Sequence, residues 1–309
     1  MNGASSWWDG YDRTPLRIGI CVIVALQWLL ETTQLAAQSR DLAHYRSGGM
    51  LAQTMVRIPG AAWLLLALAC VGLVAIARDR RPVQWGASTL AVLALASAWQ
   101  TQVFGSPSRN AFFPGAVLLG WTLGQAWAGE RGTQPRAVRE RFAEWGALAC
   151  LAAAYVGSCA SKLIATAGGW ASGTQVRALV VRQQAVADWG WLLQLRAAVV
   201  ESPALGSAAA ITTLVIEGGG VLLLLGPRLR TAWALAIIGL HTAILALCTM
   251  PYLEPMLLLG LLALPWPRLL RRARVPATHD PVPWPPRTLA ALITGVVLAW
   301  WLAPLGWRG

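Results

Sequence analysis

The chain has 309 residues, of which 56% are hydrophobic and only 12% are charged, a balance that excludes an ordinary soluble domain. Lysine and arginine together number 25 against 13 acidic residues, which gives a net charge of +12. Most arginines lie in short turns between apolar segments. Membrane orientation therefore explains the positive charge better than nucleic-acid binding, and no nucleic-acid partner is expected. The five cysteines have no C-x-x-C spacing, so we predict no disulfide framework and no metal site.

Apolar stretches recur from one end of the chain to the other and predict an all-α integral membrane protein in the lipid bilayer. A membrane span needs about 20 predominantly apolar residues. About nine transmembrane helices in a bundle are expected, and residues 1–309 form a single polytopic domain in this interpretation. The candidate spans cover approximately residues 16–36, 58–77, 83–103, 111–127, 145–165, 207–225, 231–249, 255–266 and 286–304.

Arginines follow the even-numbered spans. Cationic loops stay on the cytoplasmic side of a membrane, so this pattern predicts an N-terminus inside and, after nine spans, a C-terminus outside. Residues 267–285, which are rich in proline, are then a cytoplasmic linker. The arginines that carry this argument are Arg78, Arg80, Arg81, Arg131, Arg136, Arg139, Arg141, Arg228, Arg230, Arg268, Arg271, Arg272 and Arg274.

The connection at residues 166–206 is longer than the others and faces outside in this topology. Its mixture of apolar residues with Arg177, Arg182, Asp188 and Arg196 is typical of helical segments at a membrane interface. Such an interfacial helical loop could cap a site on the outer side. A structural loop resting on the lipid headgroups is an equally good interpretation.

Lys162 is the single lysine of the chain and lies in the outer part of the fifth predicted span. A lysine at a helix end often extends its amine to the membrane surface, and arginine does this equally well. Lysine differs from arginine because a desolvated amine can lose its proton and act as a base or nucleophile. Arginine is used at all other Lys or Arg positions of the chain, so the lysine here indicates that this position requires an amine that can be neutral.

Other ionisable residues lie at similar or greater depth. Glu217 is in the middle of the sixth span and precedes three glycines, and a carboxylate at that depth needs a partner. His241 is in the middle of the seventh span, where a helix-to-helix hydrogen bond is as good an interpretation as a ligand role. Tyr155 is seven residues before Lys162 and shares its helix face. Glu31, Gln100, Gln102, Arg109 and Asn110 are further polar candidates near the outer side.

The segment YVGSCASKLIATAGGWASG, residues 155–173, resembles a signature of the membrane domain shared by vitamin K-dependent gamma-carboxylases and the bacterial HTTM (horizontally transferred transmembrane) proteins. The signature has the form Y-x-x-(small)-G-x-x-K-L…W-x-x-G. Downstream, Glu217, the turn PRLR, His241 and the stretch MPYLEPM follow in the order that the family shows. The resemblance covers about residues 105–265.

This resemblance implies a membrane enzyme in which Lys162 is the base that deprotonates a lipid-soluble hydroquinone of the vitamin K type. In the carboxylases the hydroquinone then reacts with oxygen to form an epoxide and a strong base, which abstracts a glutamyl proton before CO2 is added. By the same resemblance, Trp170, Glu217 and His241 would line the pocket. From their positions in the predicted spans, Tyr155, Arg109 and Asn110 are further candidates for binding the substrate or cofactor. The resemblance also implies a bacterial inner membrane, a reduced quinone as cofactor without a metal, and a secreted peptide and a maturation protein as partners.

The sequence departs from the carboxylases in three respects. Asn110 or Ala111 stands where an assisting histidine is expected, and the segment from Lys162 to Trp170 is about three residues longer. We also expect no counterpart of the large β-rich extracytoplasmic domain, which makes the chain more similar to stand-alone HTTM proteins. A non-catalytic scaffold, chaperone or immunity protein for peptide maturation therefore remains an alternative, and a transporter is a third.

Overall fold

The computed structural model describes residues 6–42, 49–104, 109–129, 135–182 and 189–270. In these ranges the secondary structure consists of α-helices and short 3₁₀ helices, without any β-strand. The described part of the chain is thus all-helical, in agreement with the class predicted from its sequence.

Twelve α-helices occur in the described ranges, and two 3₁₀ helices, Gly169–Ser172 and Gly219–Leu224, lie between them. The α-helices are α1 (Thr14–Leu42), α2 (Met50–Val56), α3 (Ala61–Ala77), α4 (Pro82–Phe104), α5 (Arg109–Gly129), α6 (Arg136–Ala165), α7 (Thr174–Arg182), α8 (Gly190–Glu201), α9 (Pro203–Gly218), α10 (Pro227–Cys248), α11 (Leu253–Ala263) and α12 (Trp266–Leu269).

Four helical segments of the described chain are long and apolar enough to cross a membrane, and the number rises to five if α2 and α3 form one span. Those two helices are bent by 93° at the break between them. This finding fits an all-α membrane protein. The four segments are Thr14–Ala37, Arg136–Ala165, Pro203–Leu224 and Pro227–Cys248.

The count of nine spans does not agree with these helices. Helices α4 and α5 coincide with the third and fourth predicted spans. They contain glutamine, threonine and glycine, which lower their hydropathy, and neither is among the span candidates. Helix α11, in place of the eighth span, has only 11 residues, which is too few to cross the hydrocarbon. The ninth predicted span, 286–304, lies outside the described residues, as does most of the linker 267–285.

The chain divides into two compact units. Among the described residues, the N-terminal unit holds 10–148, and the C-terminal unit holds 6–9 and 149–270. Helix α6 contributes its first part to the N-terminal unit and the remainder to the C-terminal unit.

In the N-terminal unit, buried ion pairs join the start of α1 to the start of α6. Arg13 Nε lies 2.8 Å from a carboxylate oxygen of Glu144, and Arg17 Nη1 lies 2.6 Å from one of Glu140. Asp79, after α3, is 3.3 Å from Arg17. Because opposite charges compensate one another here, α6 can begin nine residues before the predicted span at 145 and still bury two glutamates.

The C-terminal unit contains the rest of α6, helices α7–α12 and both 3₁₀ helices. The described part of the long connection at 166–206 is helical, since it consists of the first 3₁₀ helix, α7 and α8 and leads directly into α9. Val180, Val199 and Cys248 form a small apolar core where α7, α8 and α10 pack together. This unit contains Lys162, Tyr155, Trp170, Glu217 and His241.

Candidate functional site

Lys162 is in the last turn of α6, where its amine is held by two neighbours. Nζ donates hydrogen bonds to both carboxylate oxygens of Glu217, at 2.7 and 2.6 Å, and to Ser158 Oγ at 2.7 Å. The Lys162 side chain is 21% exposed and the Glu217 side chain 9%. The amine is therefore held inside the helical unit by a carboxylate, rather than extended into solvent.

Two glycines allow α6 and the end of α9 to approach closely enough for this pair. A Cβ atom on Gly220 would lie 2.9 Å from Tyr155 Cβ and 3.0 Å from the Ala152 carbonyl oxygen. A Cβ atom on Gly218 would lie 3.3 Å from Cys159 Sγ. The glycines after Glu217 thus permit a close helix contact, which is how small residues act in membrane helices.

Tyr155 and His241 form a second polar pair in the same unit. The Tyr155 hydroxyl and His241 Nε2 share a hydrogen bond of 2.9 Å, and both residues are buried. The His241 ring also packs against Tyr252, with 5.2 Å between the ring centroids. His241 Nδ1 is buried and has no hydrogen-bond partner among the described residues.

The two polar pairs are connected through α6. Tyr155 and Lys162, one from each pair, are seven residues apart on the same face of α6, and Gly220, three residues after Glu217, packs against Tyr155. Cys159 lies between Tyr155 and Lys162 along α6, and its thiol donates to the Leu214 carbonyl at 3.4 Å. Four polar side chains from α6, α9 and α10 therefore form one cluster.

Trp170 covers Lys162 from the 3₁₀ helix that follows α6. Lys162 Nζ lies 5.6 Å from the indole centroid. Thr166 fixes this arrangement, since its Oγ1 donates to the Lys162 carbonyl at 2.8 Å and accepts from the Trp170 backbone N–H at 2.9 Å. The buried indole N–H has no acceptor among the described residues. An aromatic face and an unused donor therefore lie beside the amine.

The remaining polar candidates are in the N-terminal unit. Arg109 and Asn110 begin α5, but their side chains lie outside the described residues. Glu31 is in the N-terminal unit, where its carboxylate accepts from Gln27 Nε2 at 2.7 Å and from Gln100 Nε2. Gln102, in the same unit, accepts from the backbone N–H of Ala52 at 2.9 Å.

Two cavities within the described residues lie away from the amine. A small one of about 10 Å³ is lined by Glu31 and Gln100 together with apolar residues of α1, α3 and α4. An open groove has Trp7, Arg228 and Arg268 in its lining. Neither has Lys162 in its wall. No group of three or more His, Cys, Asp or Glu side chains in the described ranges is placed to hold a metal ion.

Sequence reasoning missed Ser158 and Thr166. They lie four residues before and four residues after Lys162, so each is on the same face of α6 or its continuation. A search for polar residues at helical spacing from the lysine would have found both. Glu217, in contrast, is 55 residues away in sequence, and only the fold brings it to the amine.

No protein-family model matches the chain, no curated protein matches it, and no solved structure matches it. The resemblance of residues 105–265 to the carboxylase membrane domain therefore stays a prediction.

Proposed function

We propose that the chain is a membrane enzyme in which Lys162 acts as a general base on a lipid-soluble hydroquinone or a similar phenolic substrate. The observation that carries this proposal is a lysine and a glutamate held together among apolar helices, in one cluster with two buried polar atoms, Trp170 Nε1 and His241 Nδ1, that have no hydrogen-bond partner among the described residues. Buried polar atoms normally have hydrogen-bond partners, so unused ones around a polar cluster suit a ligand.

The proposed chemistry is a proton transfer. A proton can pass within the pair from Nζ to a Glu217 oxygen, because the two atoms are 2.6 Å apart. The neutral amine then takes the proton of the substrate's phenolic hydroxyl, leaving a phenolate beside an ammonium group. Trp170 offers an aromatic face to a ring-shaped substrate and an N–H to one of its oxygens.

The biological setting follows from the resemblance and from the arginine pattern. We place the protein in a bacterial inner membrane with its N-terminus inside and the site toward the outer leaflet. The C-terminus outside belongs to the interpretation with a ninth span at 286–304, which lies outside the described residues. A secreted peptide and a maturation protein are its proposed partners, with a reduced quinone as the oxidisable substrate.

A non-catalytic role as a membrane scaffold, chaperone or immunity protein is supported by a different feature of the same site. An ammonium group has three N–H donors, and Lys162 directs its donors to the two oxygens of Glu217 and to Ser158. A purely structural pair that fastens α6 to α9 would show this arrangement.

Oxidation of a hydroquinone by purified protein distinguishes the two functions. The balanced reaction implied by the resemblance converts one hydroquinone and one O2 into one quinone epoxide and one water. We expect epoxide formation by the full chain in mild detergent when menaquinol or vitamin K hydroquinone is supplied. Lys162→Arg keeps the charge and the helix contact but gives up a readily titratable amine, so it should lose at least about 100-fold in rate.

Ser172→Ala is the matched control, because Ser172 is exposed and lies in the same 3₁₀ helix as Trp170. This variant should retain the activity of the natural chain. Equal activity of Lys162→Arg and the natural chain would exclude the base role. Absence of epoxide from the natural chain with either hydroquinone would favour the scaffold.

A further inference from the structure

The open groove of the C-terminal unit lies at the turn that joins the 3₁₀ helix Gly219–Leu224 to α10. It has a volume of about 450 Å³ and is lined by Trp7, Gly226, Pro227, Arg228, Leu229 and Arg268. The segments on either side of this turn, Pro203–Leu224 and Pro227–Cys248, are both long and apolar enough to cross a membrane. The turn between them therefore lies at the membrane surface, at the depth of the lipid headgroups.

Two exposed guanidinium groups face this groove. Arg228 and Arg268 approach it from α10 and α12, and neither forms an ion pair or a hydrogen bond from its side chain within the described residues. Arg136, an exposed arginine of the N-terminal unit, pairs by contrast with Asp79 and Glu140. Two cations that share a groove without an anion are complementary to a phosphate group, which arginine binds through paired N–H donors.

The aromatic side of the groove is held in place by a chain of hydrogen bonds. The Trp7 indole donates to Thr231 Oγ1 at 2.8 Å, and Thr231 in turn donates to the Ala263 carbonyl at 2.7 Å. The Arg268 guanidinium stacks on this indole, with 4.4 Å between its central carbon and the ring centroid. Trp7 thus fixes one of the two cations, and tryptophan is itself typical of the headgroup region.

The start of α10 adds further donors at the same place. Gly226 precedes the helix without a side-chain cap, and Pro227 is its first residue. The first backbone N–H groups of a helix have no partner within the helix and favour an anion near them. The two arginines and the indole are the main features of this anion site, and the start of the helix adds backbone donors to it.

We infer that this groove binds the headgroup phosphate of an anionic phospholipid. The same chemistry would also suit a soluble phosphate compound. A lipid is favoured because the groove opens where two span candidates reach the surface and because its tryptophan and arginines are typical of lipid contacts. This inference is independent of the role of Lys162.

Native mass spectrometry of the full chain, released from neutral detergent with graded amounts of phosphatidylglycerol, tests the assignment. We expect the natural chain to retain phosphatidylglycerol and to retain phosphatidylcholine much less. Each arginine near an anionic headgroup should contribute about fivefold to the affinity, so the double variant Arg228→Gln and Arg268→Gln should bind about 25-fold more weakly. Trp7→Leu should weaken binding less, because both cations remain.

The matched control is the double variant Arg57→Gln and Arg80→Gln, which removes two exposed arginines outside the groove. It should retain phosphatidylglycerol like the natural chain. Equal retention by the two double variants, or equal retention of the two lipids, would overturn the assignment. Displacement of the lipid by millimolar inorganic phosphate would assign the groove to a soluble phosphate compound instead of a membrane lipid. The elution volume in detergent checks that each variant is folded.

Discussion

At the scale of single residues, the pair Lys162 and Glu217 is the feature on which both proposed functions depend. Two oppositely charged groups in an apolar surrounding compensate for each other's loss of water, and removing one leaves the other uncompensated. Lys162→Met should therefore lower the free energy of unfolding by about 1 to 3 kcal/mol. This is less than for a fully buried pair, because 21% of the lysine side chain is exposed.

A combined variant separates the effect of the charge from that of the lost contact. Lys162→Met together with Glu217→Leu replaces both charges by apolar groups, and we expect it to unfold at a higher temperature than Lys162→Met. The measurement is thermal unfolding in mild detergent, monitored by circular dichroism. A double variant less stable than both single variants would show that the two residues do not compensate each other.

The sequence predicted the residues of the site better than the contacts between them. Lys162 stood out because it is the single lysine, and Glu217 because a carboxylate in an apolar helix requires a partner. The local sequence does not indicate that these two residues pair with each other, because the contact depends on how α9 packs on α6. The partners of Glu31 were likewise not predicted, since the fold supplies Gln27 and Gln100 of the N-terminal unit.

At the scale of helices, Gly220 controls the approach of α9 and its 3₁₀ continuation to α6. Gly220→Ala would place a Cβ atom 2.9 Å from Tyr155 Cβ. This distance is too short for two carbon atoms, so the packed helices would have to move apart. We expect a loss of about 1 to 3 kcal/mol in the free energy of unfolding, visible as a lower unfolding temperature.

Gly239→Ala is the matched control for this variant. Gly239 is in α10, and a Cβ atom there would meet nothing within 4 Å. Alanine has a higher helix propensity than glycine, so this change should be neutral or stabilising by up to about 1 kcal/mol. If both variants unfolded at the temperature of the natural chain, the close contact at Gly220 would be excluded.

Helices were easier to predict than membrane spans. Apolar periodicity and length placed α1, α6, α9 and α10 close to their observed positions, because each contains a long apolar run. The same reasoning counted α4, α5 and α11 as spans, although α11 has only 11 residues. Hydropathy alone does not distinguish a helix that crosses lipid from one that packs within a protein, since both bury apolar side chains.

At the scale of the whole molecule, the orientation in the membrane depends on the arginine pattern. This pattern places Arg80, between α3 and α4, inside and Ser172, in the 3₁₀ helix after Lys162, outside. In a Cys70→Ser background, we expect Ser172→Cys in intact cells to react with a membrane-impermeant maleimide. Arg80→Cys should react only with a permeant one. The four other cysteines are buried, so they should contribute little to the labelling.

The reverse labelling pattern would invert the proposed topology and place the site at the inner leaflet. Labelling of both cysteines by the impermeant reagent would show that the two positions share a side, contrary to the arginine pattern. Neither outcome changes the helical class, which depends on the described helices alone.

The decisive experiment for Lys162 as a base is a high-resolution map of the protein purified in mild detergent with an excess of a hydroquinone. The account predicts ring-shaped density beside Trp170, with one of its oxygens within hydrogen-bond distance of Lys162 Nζ. An amine that keeps its three present contacts, to both Glu217 oxygens and to Ser158, with no ring near it at saturating hydroquinone would contradict the account.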